Sequence, residues 1–272
     1  MNIQGTIRRL ENFTSRFVAP RHVDVWCPPG YSDSDERYPV IYMHDGQNLF
    51  LPISSIGGVA WGMDEVIIRL MDARTICGVL VVGIWNTEIR WREYMPQQPY
   101  YTLSMQRHHE AFVARAGGDP VSDSYLRFLV EEVKPYVDSN FRTRADKQNT
   151  FVMGSSMGGL ISLYTVSKYP DIFHGAGCLS TNWPAGEHEL VNEMAKSLPD
   201  AAYHKLYFDY GTEGLDALYE PYQMRMDKHL HEAGYIENKN WMTRKFEGAA
   251  HNEASWHARV EIPLSFLLSS PN

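Results

Sequence analysis

The sequence predicts an α/β fold in which a mostly parallel central sheet carries helices on both faces. Three observations lead there. Short apolar runs rich in β-branched and aromatic residues recur along the chain, and stretches with helical periodicity separate them. No repeat, low-complexity tract or Pro/Gly/Ser-rich linker interrupts the 272 residues. That length allows one large domain or two small ones, and the even texture points to a single domain over residues 1–272.

The expected strands, in order, are Val23–Trp26, Tyr38–Met43, Val79–Trp85, Thr150–Met153, Gly175–Leu179, Leu206–Tyr210 and Trp241–Phe246. The first alternates polar and apolar, as an edge or antiparallel strand does. The third is apolar throughout, as a central strand covered on both faces must be. Leu126, Leu129, Val130, Val133 and Val137 share one helix face, with Ser122 or Asp123 as its cap. Tyr222, Met226 and Leu230 mark a second helix that Gly234 stops. Trp256, Val260, Leu264 and Leu267 mark a final helix after Asn252. Arg90 to Asp119 is long, aromatic and poorly periodic, and reads as an extended loop over the carboxyl edge of the sheet, where such folds bind ligands.

Composition narrows the function. With 44% hydrophobic and 21% charged residues the chain is an ordinary globular protein. Twenty-five Lys and Arg against 33 Asp and Glu give a net charge of −8, which argues against a nucleic-acid partner. The three cysteines, Cys27, Cys77 and Cys178, form no C-x-x-C pair, so neither a disulfide framework nor a zinc ribbon is expected; Cys77 and Cys178 read as small core residues. The N-terminus lacks an apolar signal region, and the longest apolar run, Ile76 to Trp85, is about half the ~20 residues a membrane span requires. The expectation is a cytoplasmic protein without a membrane partner, with a homo-oligomer left open.

After the strand Thr150–Met153 stands Gly154-Ser155-Ser156-Met157-Gly158-Gly159, followed by an apolar helical run. This is G-x-S-x-G, a weak pattern alone and a stronger one between strand and helix. A sharp turn there needs glycine on both sides and lifts the Ser156 hydroxyl above the sheet edge. A serine is a poor nucleophile unless a base takes its proton and an acid orients the base. Downstream lie His174, His188, His204, His229, His231, His251 and His257. His251 directly follows the last strand, where this chain order needs its base; His229 and His231 read as solvent-exposed, and His257 lies within the last helix.

The acid should follow strand Leu206–Tyr210. Asp209 falls inside that strand, leaving Asp216 as the first choice and Glu213 as the alternative. An oxyanion also needs preorganised donors. One is the N–H of Met157, just after Ser156. The other should come from His44-Asp45-Gly46-Gln47-Asn48, as the N–H of Gln47 or, failing that, of Gly46. His44 and Asp45 themselves read as braces of that loop.

Taken together, Tyr42-Met43-His44-Asp45-Gly46-Gln47-Asn48, Arg92-Glu93-Tyr94-Met95-Pro96, the glycine turn around Ser156 and the Gly-x-x-His ending at His251 resemble the putative esterase family of α/β-hydrolases. That group includes feruloyl and acetyl-xylan esterases, enterochelin-type esterases, S-formylglutathione hydrolases and mycolyltransferases. The resemblance runs from about Arg21 to Leu268. It implies an α/β-hydrolase fold without a large lid domain, and a metal-free carboxylic-ester hydrolase with Ser156 as nucleophile and His251 as base. It also implies Met157 and Gln47 as oxyanion donors. The acid transfers less directly, since the segment after Gly211-Thr212 is longer than a plain Gly-Thr-x-Asp turn.

A small-molecule ester is therefore the expected substrate, with an acyltransferase, a thioesterase or a non-catalytic binding module on the same fold as the alternatives. Trp183, Trp85 and Arg92 follow strands and are candidates to line its pocket, with core packing an equal role for the tryptophans. His108-His109-Glu110 lacks a further ligand pattern, so no metal is expected. No nucleotide-binding glycine motif occurs, and no cofactor is expected.

Overall fold

Ile41, Tyr42 and Met43 illustrate how the sheet is made: Ile41 and Met43 pack into one apolar layer and Tyr42 into the other, because successive strand residues point to opposite faces. The computed structural model describes residues 3–269. Among them eight strands pair into one sheet: β1 (Thr6–Phe13), β2 (Arg21–Cys27), β3 (Val40–His44), β4 (Leu80–Ile84), β5 (Thr150–Ser155), β6 (Gly175–Leu179), β7 (Lys205–Glu213) and β8 (Trp241–Ala250). Their spatial order is β1-β2-β4-β3-β5-β6-β7-β8. The strands from β4 to β8 run parallel, whereas β2 is antiparallel to both β1 and β4. This is the mostly parallel sheet that the sequence predicts.

The connecting helices are α1 (Met63–Asp72), α2 (Arg90–Tyr94), α3 (Gln97–Tyr100), α4 (His109–Ala116), α5 (Ser122–Arg127), α6 (Lys134–Asn140), α7 (Met157–Lys168), α8 (Glu187–Ala195), α9 (Glu220–Glu232), α10 (Glu253–His257) and α11 (Glu261–Leu268). Leu126, Leu160, Leu190 and Met226, from α5, α7, α8 and α9, bury one face of the sheet against Tyr42, Val82 and Phe208. Val66, Ile67, Trp256 and Leu264, from α1, α10 and α11, bury the other against Ile41, Val81 and Tyr207. Among the described residues no helix is long and apolar enough to cross a membrane.

Several expectations need correcting. The edge strands are β1, which the sequence reading passes over, and β8; β2 is antiparallel, one of the two readings its alternation allowed, but lies inside the sheet. The polar Asp24 makes β2 look like an edge, yet it is buried, gripped by Arg9 Nε at 2.7 Å and by Trp85 Nε1 at 2.9 Å. The segment from Arg90 to Asp119 is not an extended loop. It holds α2, α3, a 3₁₀ turn at Leu103–His108 and α4. Each is too short to establish periodicity, and Pro96, Pro99 and Gly117 punctuate them. The helix expected from Ser122 is α5 and α6 joined by a π turn at Phe128–Val133, which leaves Val130 only partly buried. Neither Ser122 nor Asp123 caps it: Ser122 Oγ accepts the Gln97 N–H, and Asp123 accepts from Tyr164 and Lys168.

The last helix is likewise two, α10 and α11, whose Trp256, Val260, Leu264 and Leu267 still share a buried face. Asn252 Oδ1 caps α10 by accepting the Ser255 N–H. Cys77 is exposed rather than in the core, since Ile76 and Val79 take the buried positions around it; Cys27 and Cys178 are buried, and all three are free thiols. His229 is half-buried, its Nε2 meeting Asn192 Oδ1 at 3.0 Å.

Candidate active site

β5 ends at Ser155, and the next residue turns the chain sharply into α7. Ser156 has φ 59° and ψ −122°, a conformation that L-residues rarely adopt. Gly154 is a steric requirement of this turn, since a Cβ there would stand 2.9 Å from the Gly158 carbonyl group; one on Gly158 would meet Asp45 Oδ2 at an ordinary contact distance of 3.4 Å. Neighbouring backbone fixes Ser156 itself: its N–H donates to Leu179 O, and its carbonyl accepts the N–H groups of Gly159 and Asn182. The first N–H groups of α7, beginning with Met157, have no acceptor within the helix and point their dipoles toward the turn.

The next parallel strands supply the other groups. β8 delivers His251 just past its carboxyl end. β7 is followed by a 3₁₀ turn at Gly214–Leu218 that carries Asp216 back into the interior. Asp216 Oδ1 accepts from His251 Nδ1 at 2.6 Å, while Oδ2 accepts the Gly211 N–H at 2.8 Å and the Ser180 hydroxyl at 2.6 Å. Burial opposes ionisation of Asp216, yet the bonds from His251, Ser180 and Gly211 hold it below the ordinary carboxylate range. Glu213 is exposed at the end of β7. Of the two acids left open by the sequence, Asp216 is the one that meets His251.

His251 is enclosed edge-on by Tyr219 and Trp256, with ring centroids 5.5 and 5.1 Å away. Among the described residues no hydrogen bond joins Ser156 to His251. The Ser156 hydroxyl instead lies beside the Tyr219 phenol, which burial pushes well above its ordinary range and which donates to Asn182 Oδ1 at 3.2 Å.

On the opposite side, β3 runs into the turn Gly46–Asn48. Asp45 precedes it at φ 58° and is clamped by Arg90 Nε and Nη2 and by Asn86 Nδ2, each at 2.6 Å. Despite burial, these contacts hold Asp45 below its ordinary range. Gly46 packs against the backbone of Gly83 in β4 so closely that no side chain fits. The side chain of Gln47 accepts the Asn86 N–H at 3.2 Å, and its carbonyl accepts from Ser54 Oγ at 2.7 Å. His44 meets the Tyr125 hydroxyl at 2.7 Å through Nδ1, and burial pushes its pKa down to about 3, so it is neutral. His44 and Asp45 brace the turn, and the contact of Asp45 with Gly158 sets it beside the start of α7.

Other candidates lie elsewhere. Trp183 is fully buried, with its indole N–H donating to Gln223 at 3.0 Å, and belongs to the core. Trp85 turns toward β2, donating to Asp24 beneath the Arg9 guanidinium. Arg92 donates to Asp119 O and lines a groove with Phe17 and Glu93. Of the trio His108-His109-Glu110, only His108 joins a potential metal-binding group, with Glu187 and Glu189, and Arg107 already bonds both carboxylates. A cavity of about 330 Å³ between Phe50, Val59, Asp64 and His257 does not reach Ser156.

The sequence reading missed Tyr219, Asn182, Ser180, Arg259 and Glu253. Ser180 and Asn182 had a usable signal, their place directly after β6 at the carboxyl edge. Glu253 follows His251 by two residues; its carboxylate accepts from Asn48 Nδ2 at 3.3 Å, and burial raises its pKa.

The chain has counterparts among known proteins. The family model described as Putative esterase matches residues 14–262. The uncharacterized protein YbbA of Bacillus subtilis is 24% identical over 239 residues, covering 85% of this chain and 86% of its own. A ferulic acid esterase structure superposes with a TM-score of 0.71 at 17% identity, covering 98% of this chain and 99% of the other. The siderophore hydrolase EstA from Aspergillus nidulans gives 0.68 at 17%, covering 97% and 95%. The shared architecture is the α/β-hydrolase fold.

Proposed function

The chain belongs to the Putative esterase family and is an ester hydrolase, and from that premise we propose that it cleaves small carboxylic esters through a Ser156–His251–Asp216 triad and an acyl-enzyme. The observation that carries this reading is the 2.6 Å hydrogen bond from His251 Nδ1 to the buried Asp216, made at the carboxyl edge of the sheet where Ser156 also stands, in a strained strand-to-helix turn. With its Nδ1–H donating a hydrogen bond to Asp216, the neutral imidazole keeps a lone pair on Nε2, the atom that must accept the Ser156 proton.

In this mechanism a bound ester draws the Ser156 hydroxyl from Tyr219 toward His251 Nε2. Apo sites often hold such contacts open and close them only on the substrate. Ser156 Oγ attacks the carbonyl carbon while His251 takes its proton. The developing oxyanion is received by the N–H groups of Met157 and Gln47, with Gly46 as the alternative donor; hydrogen bonds and close backbone packing hold both turns, so little reorganisation opposes the charge. His251 then protonates the departing alkoxide. Water enters, gives a proton to His251 and attacks the acyl-enzyme; His251 returns that proton to Ser156 Oγ as the C–O bond to the enzyme breaks and the acid leaves. Asp216 stabilises each imidazolium without taking a proton itself.

Ferulic acid esters and siderophores, the substrates in the names of the superposed structures, are the first to try. The test is a panel of feruloyl, siderophore, acetyl and thioester substrates, assayed with the wild type and Ser156→Ala, alongside labelling by a fluorophosphonate. Saponification that vanishes with Ser156, together with labelling at that residue, is the expected result. Turnover that survives the substitution removes Ser156 from the mechanism.

A further inference from the structure

Beneath Asp216 lies a second layer of buried polar groups that the triad does not include. Ser180 leaves β6 with φ 40°, and its Oγ has three partners: Trp256 Nε1 at 3.0 Å, Arg259 Nη2 at 2.8 Å and Asp216 Oδ2 at 2.6 Å. Arg259 is in turn held by Asp209, through Nη2 at 2.8 Å and Nε at 3.2 Å, and Asp209 also accepts the Ser180 N–H at 3.0 Å. Ser180, Asp209, Asp216 and Arg259 are all buried.

The proton inventory of this cluster has one solution. An indole N–H and a guanidinium N–H can only donate, and together they use both lone pairs of the Ser180 oxygen. The hydroxyl proton then has a single remaining role, donation to Asp216 Oδ2. Asp216 is thereby fixed as an acceptor on that oxygen and aimed with the other at His251 Nδ1. The direction of every bond in the row is dictated by Arg259, a group that cannot lose its proton. The tautomer of His251 follows from it.

We propose that Ser180, saturated by Trp256 and by the Arg259–Asp209 pair, is the positioning residue that sets the orientation of Asp216 and hence the proton-accepting face of His251. This rests on the triad reading given above. Bonding from Ser180 also contributes to holding Asp216 ionised. Arg259 makes no direct hydrogen bond to Asp216, since Nη2 stays 3.8 Å from Oδ2 with the Ser180 hydroxyl bonded to both. Without the hydroxyl, Arg259 closes on Asp216 and draws its charge from the imidazole. The other titratable groups around the pair are Asp209, Tyr219 and Glu253.

Two variants test this. Ser180→Ala removes the hydroxyl. Ser180→Gly removes it as well and suits the left-handed backbone at that position, which protects the fold. Both are expected to lower kcat by about 10–100-fold, the usual effect of losing a supporting bond behind a working histidine, with KM within about twofold of wild type. The acid limb of the kcat/KM profile should move to lower pH, because an imidazolium with weaker carboxylate support loses its proton more readily. The downfield proton resonance of the His251 Nδ1–H should move upfield or disappear. Wild-type kcat together with an unmoved resonance in Ser180→Gly overturns the proposal. The resonance needs no turnover, so it reports on Ser180 even where Ser156→Ala retains activity and the triad reading itself fails.

Discussion

Ser156 occupies a backbone conformation that an ordinary residue enters only at a cost of about 1–3 kcal/mol, which the packing of Gly154 on Gly158 must offset. Ser156→Ala keeps that strain and is expected to cut turnover by at least ~10⁴-fold while moving Tm little; a thermal melt beside an ester assay checks both halves. Asp216 and Glu213 separate as sharply, because one is buried on His251 and the other is exposed. Asp216→Asn should cost about 10³–10⁴-fold in kcat, since an amide can donate to Nδ1 and favour the wrong tautomer. Glu213→Gln should leave kcat near wild type, and steady-state kinetics on the two purified variants decides it. Asp227 presents the opposite sign. Burial raises its carboxyl to about 6, although Gln223 and Thr243 donate to it. The folded protein therefore binds more protons than the unfolded chain between about pH 4 and 6, so stability falls as pH rises across that window and the deficit persists above it. Asp227→Asn, whose carbonyl can accept the same bonds, should raise Tm near pH 7.5 and lose that advantage near pH 4, as thermal denaturation at the two values would reveal.

Between β2 and α2 lies a fully buried ion pair, Arg21 with Glu93, whose Nη1–Oε2 distance is 2.8 Å. It anchors the short helix that starts at Arg90, the residue clamping Asp45 beside the Gly46–Asn48 turn. Glu93→Ala strands an arginine in the interior and is expected to destabilise by about 3–5 kcal/mol, read from urea denaturation. Activity should fall with it in the remaining folded protein, since α2 then holds Arg90 less firmly. A loss confined to stability would uncouple α2 from the turn. This helix also marks the limit of what local sequence conveys. The parallel strands β3 to β7 are legible because both faces are buried and their apolar runs are continuous. β1 is hidden because only Ile7, Leu10 and Phe13 punctuate its charged residues, as suits an edge. α2, α3 and α4 are hidden because so few turns cannot register a period. At the site, chain order ranks Ser156, His251 and Asp216, whose places follow from strand ends. It cannot tell a tryptophan that lines a pocket from one, like Trp183, whose partner Gln223 stands 40 residues on.

At the scale of the whole molecule, the site depends on a sheet whose two apolar layers are closed by distant parts of the chain. α11, nearly the last segment described, lies against the middle of the sheet: a Cβ on Gly175 of β6 would stand 3.1 Å from Leu267, and Leu264 is fully buried in the layer shared with Ile41 and Tyr207. Arg259 sits just before this helix, with its guanidinium held under Ser180 and Asp209 by its own hydrogen bonds. Leu264→Ala separates burial from positioning. Loss of a buried leucine costs about 2–5 kcal/mol, which for a chain of this size lowers Tm by about 4–9 °C. The polar row behind Asp216 is fixed by hydrogen bonds rather than by that leucine, so well below the melting range kcat should stay within about twofold of wild type. Activity should then disappear only as the protein unfolds. A large fall in kcat at temperatures where circular dichroism still reports a native fold would mean that α11 bears on the site directly, through displacement of Arg259, and that burial and positioning are one function here instead of two.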